Sequence, residues 1–230
     1  MTDAPTALLD AAMPGLPSGS RLRTMRWRAG EAIFIEGDLE TCLYVIRAGR
    51  VRVGLNRDTD RECLFQVLGP GELCGEESVF DPGPRSTCAV AITDVTATRL
   101  ERHELTAMMA AHPEMAQRFL RILARRIRST SSTITDTVYA SVAARVAKHL
   151  LGLAQRFGVQ EHGTLRVPMD LTQEQFAHLV GSSRESVNKT LCHFASRGWI
   201  VVAKGSIVIR ESEPLAARMH GARRVQLAGQ

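Results

Sequence analysis

The sequence predicts an α+β protein with an N-terminal antiparallel β-roll, one long helix and a C-terminal winged helix-turn-helix. Three observations lead to this prediction. Short apolar runs broken by glycine and proline turns fill residues 21–112, a single helical periodicity runs through residues 113–140, and two helix starts follow each other closely within residues 141–230. Residues 1–20 contain several prolines and predict a loose tail with one short helix near residues 7–13.

The composition is that of a folded globular protein. Of the 230 residues, 44% are apolar and 23% are charged, which argues against a disordered or fibrous chain. No apolar run is long enough to span a bilayer, and the first 20 residues lack the basic segment and long apolar core of a secretion signal. We therefore predict a cytoplasmic protein that does not contact a membrane.

The positive charge is concentrated in the C-terminal part of the chain. Residues 1–140 carry 17 Arg, no Lys and 18 acidic residues, whereas residues 141–230 carry 12 Lys and Arg against 6 acidic residues. The two parts therefore have net charges of −1 and +6. Such an excess suits contacts with phosphates, although many solvated domains carry as much without binding nucleic acid.

The cysteines and histidines show no metal-binding or catalytic spacing. The five cysteines lie far apart with no C-x-x-C pair, which favours buried free thiols and leaves a thiol sensor as the alternative. None of the seven histidines belongs to an H-x-x-x-H or H-E-x-x-H pair, and the chain has no P-loop or nucleophile elbow. We predict no bound metal and no enzymatic activity. The cysteines are Cys42, Cys63, Cys74, Cys88 and Cys192.

The β-roll is predicted from short strands that alternate with turns every 8 to 15 residues or so, the spacing of a sandwich or barrel. The turns coincide with glycines and with the two clusters Gly69-Pro70-Gly71 and Pro82-Gly83-Pro84. The predicted strands are Ala32–Ile35, Leu43–Ile46, Val51–Leu55, Cys63–Leu68, Ser86–Ile92 and Val95–Leu100.

The long helix is predicted to begin at Pro113, whose fixed φ suits a first turn, and to end near Tyr139. At about 26 residues it is close to 39 Å long, more than a small roll can cover. A two-fold dimer seam accounts for the excess length, and packing of the whole helix on its own roll is the alternative. The apolar stripe is Met115, Phe119, Leu123, Ile127, Ile134 and Val138, and it is interrupted at Thr130.

Two capping patterns around a glycine predict the helix-turn-helix. Thr172 and Gln175 have the spacing of a capping box, and Gly181 can adopt the left-handed conformation that a tight turn requires. Ser182 and Glu185 repeat the capping pattern and are predicted to start the second helix. Two helices joined by so short a turn cross steeply, as in DNA-binding helix-turn-helix motifs.

The second helix presents side chains that can read DNA. Arg can pair with guanine, Glu can accept from cytosine, and Lys or Asn can contact a base or a phosphate, whereas Ala177 and Val187 are expected to face inward. Residues 200–203 and 207–210 flank Lys204-Gly205-Ser206 and predict a wing hairpin. A solvated helix in an ordinary bundle is the alternative. The predicted DNA-binding residues are Thr172, Ser183, Arg184, Glu185, Ser186, Asn188 and Lys189.

Three motifs carry a resemblance to a known family. They are GELCGEESVFDPGPRST over residues 71–87, ARRIRSTSS over residues 124–132 and GSSRESVNK over residues 181–189. With them, residues 25–215 resemble the cyclic AMP receptor protein family (the CRP/FNR superfamily), in particular its actinobacterial cyclic AMP-responsive branch. The resemblance implies a cyclic-nucleotide-binding roll, a dimerisation helix and a winged DNA-binding domain.

The resemblance identifies the first motif as a phosphate-binding cassette. It implies that Arg85 neutralises the cyclic phosphate with help from the Ser86 hydroxyl, while Gly75 and the backbone amides of residues 76–79 lie close to the anion. Ser78, in that turn, belongs to the implied ligand-binding set, as does Glu77.

The resemblance assigns the rest of the nucleotide to neighbouring residues. It implies that Glu76 accepts from the ribose 2′-hydroxyl and that Arg126 holds the Glu76 carboxylate. Thr130 and, from the partner subunit, Ser131 are implied to bind adenine, which accounts for the polar break in the stripe.

The chain also departs from the family pattern. Glu77 replaces an apolar residue, and an acid beside a phosphate repels the ligand if it points inward, so that weak binding, cyclic GMP or an empty pocket stay open. Ala140 and Ser141 stand at the hinge where some relatives place an acidic cap, and Asn188 and Cys192 indicate a shifted operator.

The expected function is that of a homodimeric, sequence-specific DNA-binding transcription regulator controlled by cyclic AMP, with RNA polymerase as a further partner. Two ligands are expected to bias the hinge at residues 138–143 until the recognition helices lie about 34 Å apart over a palindromic operator in double-stranded DNA. A ligand-independent or thiol-responsive regulator on the same fold is the alternative. An enzyme that turns over a cyclic nucleotide is the rival from another class.

Overall fold

The computed structural model describes residues 22–56, 62–161 and 163–224. The predicted tail over residues 1–20, with its short helix near 7–13, lies outside the described residues. The chain divides into two compact units, with the division between Ile127 and Arg128.

The first unit is an antiparallel β-roll. Its described strands pair in two four-stranded sheets, in the orders β1-β8-β3-β6 and β2-β7-β4-β5. All six predicted strands are present with end shifts of up to two residues, whereas β1 and β6 were not predicted, because β1 exposes three of its five residues and β6 has only two residues. The strands are β1 (Arg23–Trp27), β2 (Ala32–Phe34), β3 (Cys42–Ala48), β4 (Val51–Asn56), β5 (Glu62–Leu68), β6 (Leu73–Cys74), β7 (Cys88–Ala91) and β8 (Val95–Glu101).

Strand β3 separates two hydrophobic clusters, because successive side chains of a strand point to opposite faces. Tyr44 and Ile46 belong to the cluster that includes Phe34 and Val51 of the other sheet. Leu43 and Val45 belong to a second cluster, together with residues of the helices that follow the roll. Since both faces are covered, the first five residues of β3 are buried.

Among the described residues, three helices complete the first unit and lead into the second. They are α1 (Glu77–Phe80), α2 (Arg102–Ala111) and α3 (Pro113–Tyr139). Helix α3 begins and ends where the sequence predicts it. Its carboxyl-terminal part belongs to the second unit, since the division falls after Ile127.

The predicted dimer stripe on α3 is only partly correct. Met115 and Phe119 are 1% and 3% exposed and belong to the cluster under β3, because the first turns of the helix pack on its own sheet. Leu123 is half-buried. The remaining stripe residues are exposed, and Leu120, which was not predicted, is exposed with them. The large apolar side chains that α3 exposes at seven-residue or four-residue spacing are Leu120, Ile127, Ile134 and Val138.

The second unit contains the helix-turn-helix. Its described strands form an antiparallel sheet in the order β11-β12-β10-β9. The wing is the β11–β12 hairpin with Lys204 and Gly205 at its turn, whereas Ser206, predicted in the turn, is the first residue of β12 and pairs with Ala203. The elements are α4 (Val142–Phe157), β9 (Val159–Glu161), β10 (Thr164–Pro168), α5 (Gln173–Val180), α6 (Arg184–Ser196), β11 (Ile200–Ala203), β12 (Ser206–Ile209) and α7 (Ser212–Arg224).

The thiols do not all follow the sequence prediction. Cys42 and Cys74 are buried and Cys88 is half-buried, but Cys63 and Cys192 are exposed, so the prediction of buried thiols is wrong for these two. In the part of the chain that the structure describes, no three His, Cys, Asp or Glu side chains are grouped as a metal site. No described helix combines the length and the apolar character that crossing a membrane requires.

Candidate functional site

The predicted ligand residues of the roll gather around a buried ion pair. Glu76 is 2% exposed, and the guanidinium of Arg126 donates to its Oε1 and to the carbonyl oxygen of Leu73. Burial lowers the pKa of Arg126. The second carboxylate oxygen, Oε2 of Glu76, is buried and accepts no hydrogen bond in the structure. The carboxylate is therefore held from one side and keeps one acceptor open.

A second buried cation, Arg85, lies beside this pair. It is 4% exposed, and its Nη1 and Nη2 donate to the carbonyl oxygens of Gly75 and Cys42 at 2.5 and 2.6 Å. Its Cζ is 4.3 Å from the centroid of the Phe34 ring, and its Nε has no partner. Among the described residues no carboxylate forms an ion pair with Arg85. A buried charge without a counter-ion is unfavourable, so binding an anion beside Arg85 is favourable.

Gly75 fits closely against Arg85. Its φ is +79°, in the region that favours glycine, and a Cβ at this position would lie 2.5 Å from Nη1 of Arg85. Any larger residue therefore strains the backbone and displaces the guanidinium.

The remaining cassette residues are engaged within the protein. The Ser86 hydroxyl donates to Oε2 of Glu77, whose side chain is exposed in the first turn of α1. The Ser78 hydroxyl is buried and is 3.4 Å from the Gly75 carbonyl oxygen. The amide of Val79 donates to the carbonyl oxygen of Glu76 at 3.2 Å and is therefore already hydrogen-bonded within the protein.

Thr130 and Ser131 lie on α3 in the second unit, and both are exposed. The carbonyl oxygen of Ser131 accepts from the Thr135 hydroxyl at 2.9 Å. Their contact with adenine stays a prediction.

The helix-turn-helix begins with the predicted capping box. Thr172 Oγ1 accepts from the amide of Gln175 at 3.1 Å, and Gln175 Oε1 accepts from the amide of Thr172 at 3.0 Å. Helix α5 ends at Gly181, whose φ is +69°. The amides of Gly181 and Ser182 donate to the carbonyl oxygens of His178 and Ala177, each at 3.0 Å, as in a Schellman motif.

The second predicted capping box is wrong by one residue. The N-cap of α6 is Ser183, whose Oγ accepts from the amide of Ser186 at 3.2 Å. Ser182 instead ends α5 through its own amide. Glu185 is consequently the second residue of α6 and points into solvent.

The predicted DNA-binding residues form one surface on α5 and α6. Arg184, Glu185 and Lys189 are exposed, as are Thr172 and Ser183, while Ser186 and Asn188 are half-buried. Val187 and Ala177 are each 1% exposed, as predicted for the residues between the helices.

Sequence reasoning missed Gln173, the first residue of α5. Its Oε1 accepts from Nε of Arg184 and from Nδ2 of Asn188, each at 3.2 Å. The two recognition side chains are thereby oriented by one amide. No motif identifies this glutamine, because its partners lie 11 and 15 residues away.

Arg145 of α4, also not predicted, connects the carboxyl ends of two helices. Its guanidinium donates to the carbonyl oxygens of Val180 and Gly181 in α5 at 2.9 and 3.0 Å, and to that of Ala140 after α3 at 2.8 Å. The predicted hinge falls between α3 and α4, where Ser141 caps α4 by accepting from the amide of Ala144 at 3.2 Å.

Lys148 supports the same junction. Its ammonium donates to the Ser132 hydroxyl at 2.8 Å and forms an ion pair with Asp136. The end of α3 is therefore bonded to α4 from two successive turns.

Together the β-roll and the winged helix-turn-helix define the class of protein as a DNA-binding transcription regulator. Residues 24–112 match the cyclic nucleotide-binding domain, and residues 144–218 match the Crp-like helix-turn-helix domain. The predicted fold class is thereby confirmed.

The relatives identify the family. The chain is 46% identical over 198 residues to the CRP-like cAMP-activated global transcriptional regulator of Mycobacterium tuberculosis, over 86% of this chain and 88% of that protein. It is 32% identical over 188 residues to the cyclic AMP receptor protein of Thermus thermophilus, over 80% and 82% of the two chains. The chain belongs to the CRP family of transcription regulators, as the sequence motifs predict.

Solved structures share the fold. FixK2 from Bradyrhizobium japonicum superposes with a TM-score of 0.75 at 21% identity, covering 85% of this chain and 96% of the other. A CRP-family transcriptional regulator from Thermus thermophilus gives a TM-score of 0.72 at 26% identity, with the same two coverages.

Proposed function

We propose that this chain is a homodimeric regulator whose binding to a palindromic operator is controlled by cyclic AMP. The observation that carries the proposal is the buried cluster in which Arg85 has no carboxylate partner and Glu76 keeps an unpaired oxygen. A cyclic phosphate supplies the missing negative charge, and a ribose hydroxyl supplies the missing donor.

The ligand contacts follow from this chemistry. Arg85 binds the phosphate, Oε2 of Glu76 accepts from the ribose 2′-hydroxyl, and Arg126 positions Glu76. Thr130 and, from the partner subunit, Ser131 bind the adenine edge. The names of the two relatives, one cAMP-activated and one a cyclic AMP receptor protein, support cyclic AMP over other nucleotides.

The exposed apolar residues of α3 support a two-fold dimer. Ile134 and Val138 are 62% and 67% exposed although both are large aliphatic side chains. Burying one such side chain stabilises an interface by about 1.5 to 3 kcal/mol, so a paired helix is a strong driving force. Residues 113–140 serve as the dimerisation helix, between a sensing domain over residues 21–112 and a DNA-binding domain over residues 141–230.

The recognition surface binds double-stranded DNA through α6 of each subunit, about 34 Å apart. Ligand binding changes the junction between α3 and α4 and so the spacing of the two α6 helices. The protein acts in the cytoplasm on promoter DNA, with RNA polymerase as a further partner, and it releases cyclic AMP unchanged.

The test is fluorescence anisotropy with a labelled operator at fixed salt, with and without cyclic AMP. Ligand is expected to tighten operator binding roughly 5 to 150 fold, the usual range of such coupling. Arg85→Ala keeps the ligand-free affinity and loses the response. Chromatography of cyclic AMP after long incubation with the protein is expected to show no turnover. An unchanged operator affinity over the full range of cyclic AMP contradicts ligand control.

One observation favours a second candidate, a regulator that binds its operator without ligand. Glu77 already holds the Ser86 hydroxyl, the donor adjacent to Arg85. In that case Arg85→Ala and wild type bind the operator equally with or without cyclic AMP.

A further inference from the structure

Glu77 lies beside the buried cluster and holds a hydroxyl that the nucleotide needs. Its carboxylate accepts from Ser86, the residue that follows Arg85 in the chain. Two of the three guanidinium nitrogens of Arg85 already donate to backbone carbonyls. A bound anion would therefore accept from the Ser86 hydroxyl as well as from Arg85. A carboxylate of the protein itself accepts from that donor.

We propose that Glu77 is a built-in competitor of the nucleotide phosphate that lowers nucleotide affinity and selects against ligands with two negative charges. The inference rests on the proposed function, since it assumes that the cluster binds a cyclic nucleotide.

The charges around the cluster support this role. Arg85 and Arg126 contribute two positive charges and Glu76 contributes one negative charge, which leaves the buried groups with a net charge of +1. Glu77 adds a negative charge beside them and brings the whole site to zero. A cyclic nucleotide carries one phosphate charge, whereas a 5′-monophosphate carries close to two at neutral pH. The repulsion from Glu77 therefore acts about twice as strongly on the dianion.

The exposure of Glu77 makes it a competitor and not a permanent block. The side chain lies in the first turn of a four-residue helix and is exposed, so it can turn to water without uncovering the core. Ser86 can then donate to the phosphate. The exchange replaces one charge-assisted hydrogen bond by another of similar strength, and the net affinity depends on which acceptor is stronger.

The charge is tested by titration calorimetry of the full-length dimer with cyclic AMP and with 5′-AMP. Glu77→Gln keeps the size and an acceptor oxygen but removes the charge, and it is expected to bind cyclic AMP about tenfold tighter. Its gain for 5′-AMP is expected to be about the square of the gain for cyclic AMP. Raising the salt concentration is expected to weaken cyclic AMP binding more in Glu77→Gln than in wild type, because the net site charge changes from zero to +1.

The matched control is Glu31→Gln, which also removes one exposed carboxylate. The Glu31 backbone bonds to Ala91, at the other end of β7 from Ser86, and its side chain caps a turn by accepting from the amide of Arg28. This variant is expected to bind both nucleotides as wild type does.

A double-mutant cycle tests the hydrogen bond. Ser86→Ala is expected to weaken cyclic AMP binding less than about twofold in wild type, where Glu77 occupies the hydroxyl. In the Glu77→Ala background, where the hydroxyl is available to the phosphate, the same change is expected to weaken binding about tenfold. Equal effects in the two backgrounds contradict the competition.

The outcomes separate the inference from the proposed function. If Arg85→Ala abolishes cyclic AMP binding while Glu77→Gln binds both nucleotides as wild type does, the role of Glu77 is wrong and the ligand site stands. If no variant with an intact Arg85 binds cyclic AMP, the ligand site itself is wrong and the role of Glu77 is overturned with it.

Discussion

Two regions of the molecule differ in whether their polar atoms have hydrogen-bond partners. They are the turn between α5 and α6 and the cluster around Arg85. At the turn, the end of α5 and the start of α6 are closed by the chain itself, through Gly181, Ser182 and Ser183. In the cluster, Nε of Arg85 and Oε2 of Glu76 are buried without any partner.

The closed helix ends stabilise the fold, whereas we propose that the unpaired atoms of the cluster bind a ligand. A buried polar atom without a partner destabilises a protein by about 1 to 3 kcal/mol, and the ribose hydroxyl of the proposed ligand would supply a donor to Oε2 of Glu76. The surface that binds DNA can be satisfied in advance, because its ligand arrives from solvent and meets exposed side chains. The buried cluster, which is proposed to bind a nucleotide, has polar atoms that are not satisfied in advance.

Removing the counter-charge of Glu76 is the strongest way to break the cluster. Arg126→Ala leaves a 2% exposed carboxylate without its ion-pair partner and is expected to destabilise the protein by about 3 to 5 kcal/mol. Urea denaturation followed by circular dichroism measures the loss.

The paired replacement provides the control. Arg126→Met combined with Glu76→Gln removes both charges at similar volume and is expected to recover most of that stability without recovering cyclic AMP binding. If Arg126→Ala unfolds at the same urea concentration as wild type, the ion pair is not a stabilising contact and the contrast with the helix-turn-helix fails.

His149, a titratable group in the DNA-binding unit, allows a test of whether the stability of that unit depends on pH. Burial, with a smaller effect from Lys148, lowers the pKa of His149 from 6.5 to about 4. The folded state therefore favours the neutral imidazole, so its contribution is complete above pH 6.5 and is lost as the pH falls toward 4. Allowing for partial exposure, the loss is about 2 kcal/mol.

Urea denaturation of wild type and His149→Gln at pH 7 and pH 4.5 measures this effect. The glutamine variant is expected to lose less stability between the two pH values, because it has no imidazole to protonate. Equal losses indicate that His149 is protonated in the folded protein.

The recognition surface is expected to respond to single substitutions through affinity and not through stability. Arg184→Ala removes an exposed guanidinium that Gln173 orients and is expected to weaken operator binding about tenfold and to relax sequence preference. Lys189→Ala is the matched change of an exposed cation on the same helix. It is expected to weaken binding to all sequences alike and to reduce the salt dependence by one phosphate contact.

Anisotropy titrations with an operator and a scrambled duplex distinguish the two. A uniform loss for both variants means that Arg184 contacts phosphate and reads no base.

The helix-turn-helix was predictable because its signals are local. A capping residue and its partner are three residues apart, and the glycine of the turn lies next to the helix that it ends, so Thr172, Gly181 and the wing hairpin could be predicted from the printed sequence. The long helix was equally clear, since Pro113 and a continuous periodicity mark it.

The contacts of the ligand cluster could not be predicted from spacing. Arg126 reaches Glu76 across 50 residues, and Arg85 reaches the Cys42 carbonyl across 43 residues. Glu76 and Arg126 were paired through family resemblance alone. No sequence motif predicts the contacts of Arg145 and Gln173 or the hydrogen bond from Ser86 to Glu77, because each contact depends on which elements the fold brings together. Periodicity also failed to show that Met115 and Phe119 face the roll, since a helix stripe looks the same whichever surface covers it.

The smallest expected effect concerns a local signal that the sequence misplaced, the cap of α6. Ser183→Ala removes the hydroxyl oxygen that accepts from the amide of Ser186 and is expected to destabilise the DNA-binding unit by about 1 kcal/mol. Ser182→Ala is its matched partner, because the Ser182 backbone closes α5 through its amide, whereas the cap of α6 is Ser183. It is expected to change the free energy of unfolding by less than about 0.5 kcal/mol. Thermal denaturation of the two variants at the same pH decides between them. A larger loss for Ser182→Ala restores the capping box with Glu185, and the turn between the helices would then contain one residue fewer than the structure gives it.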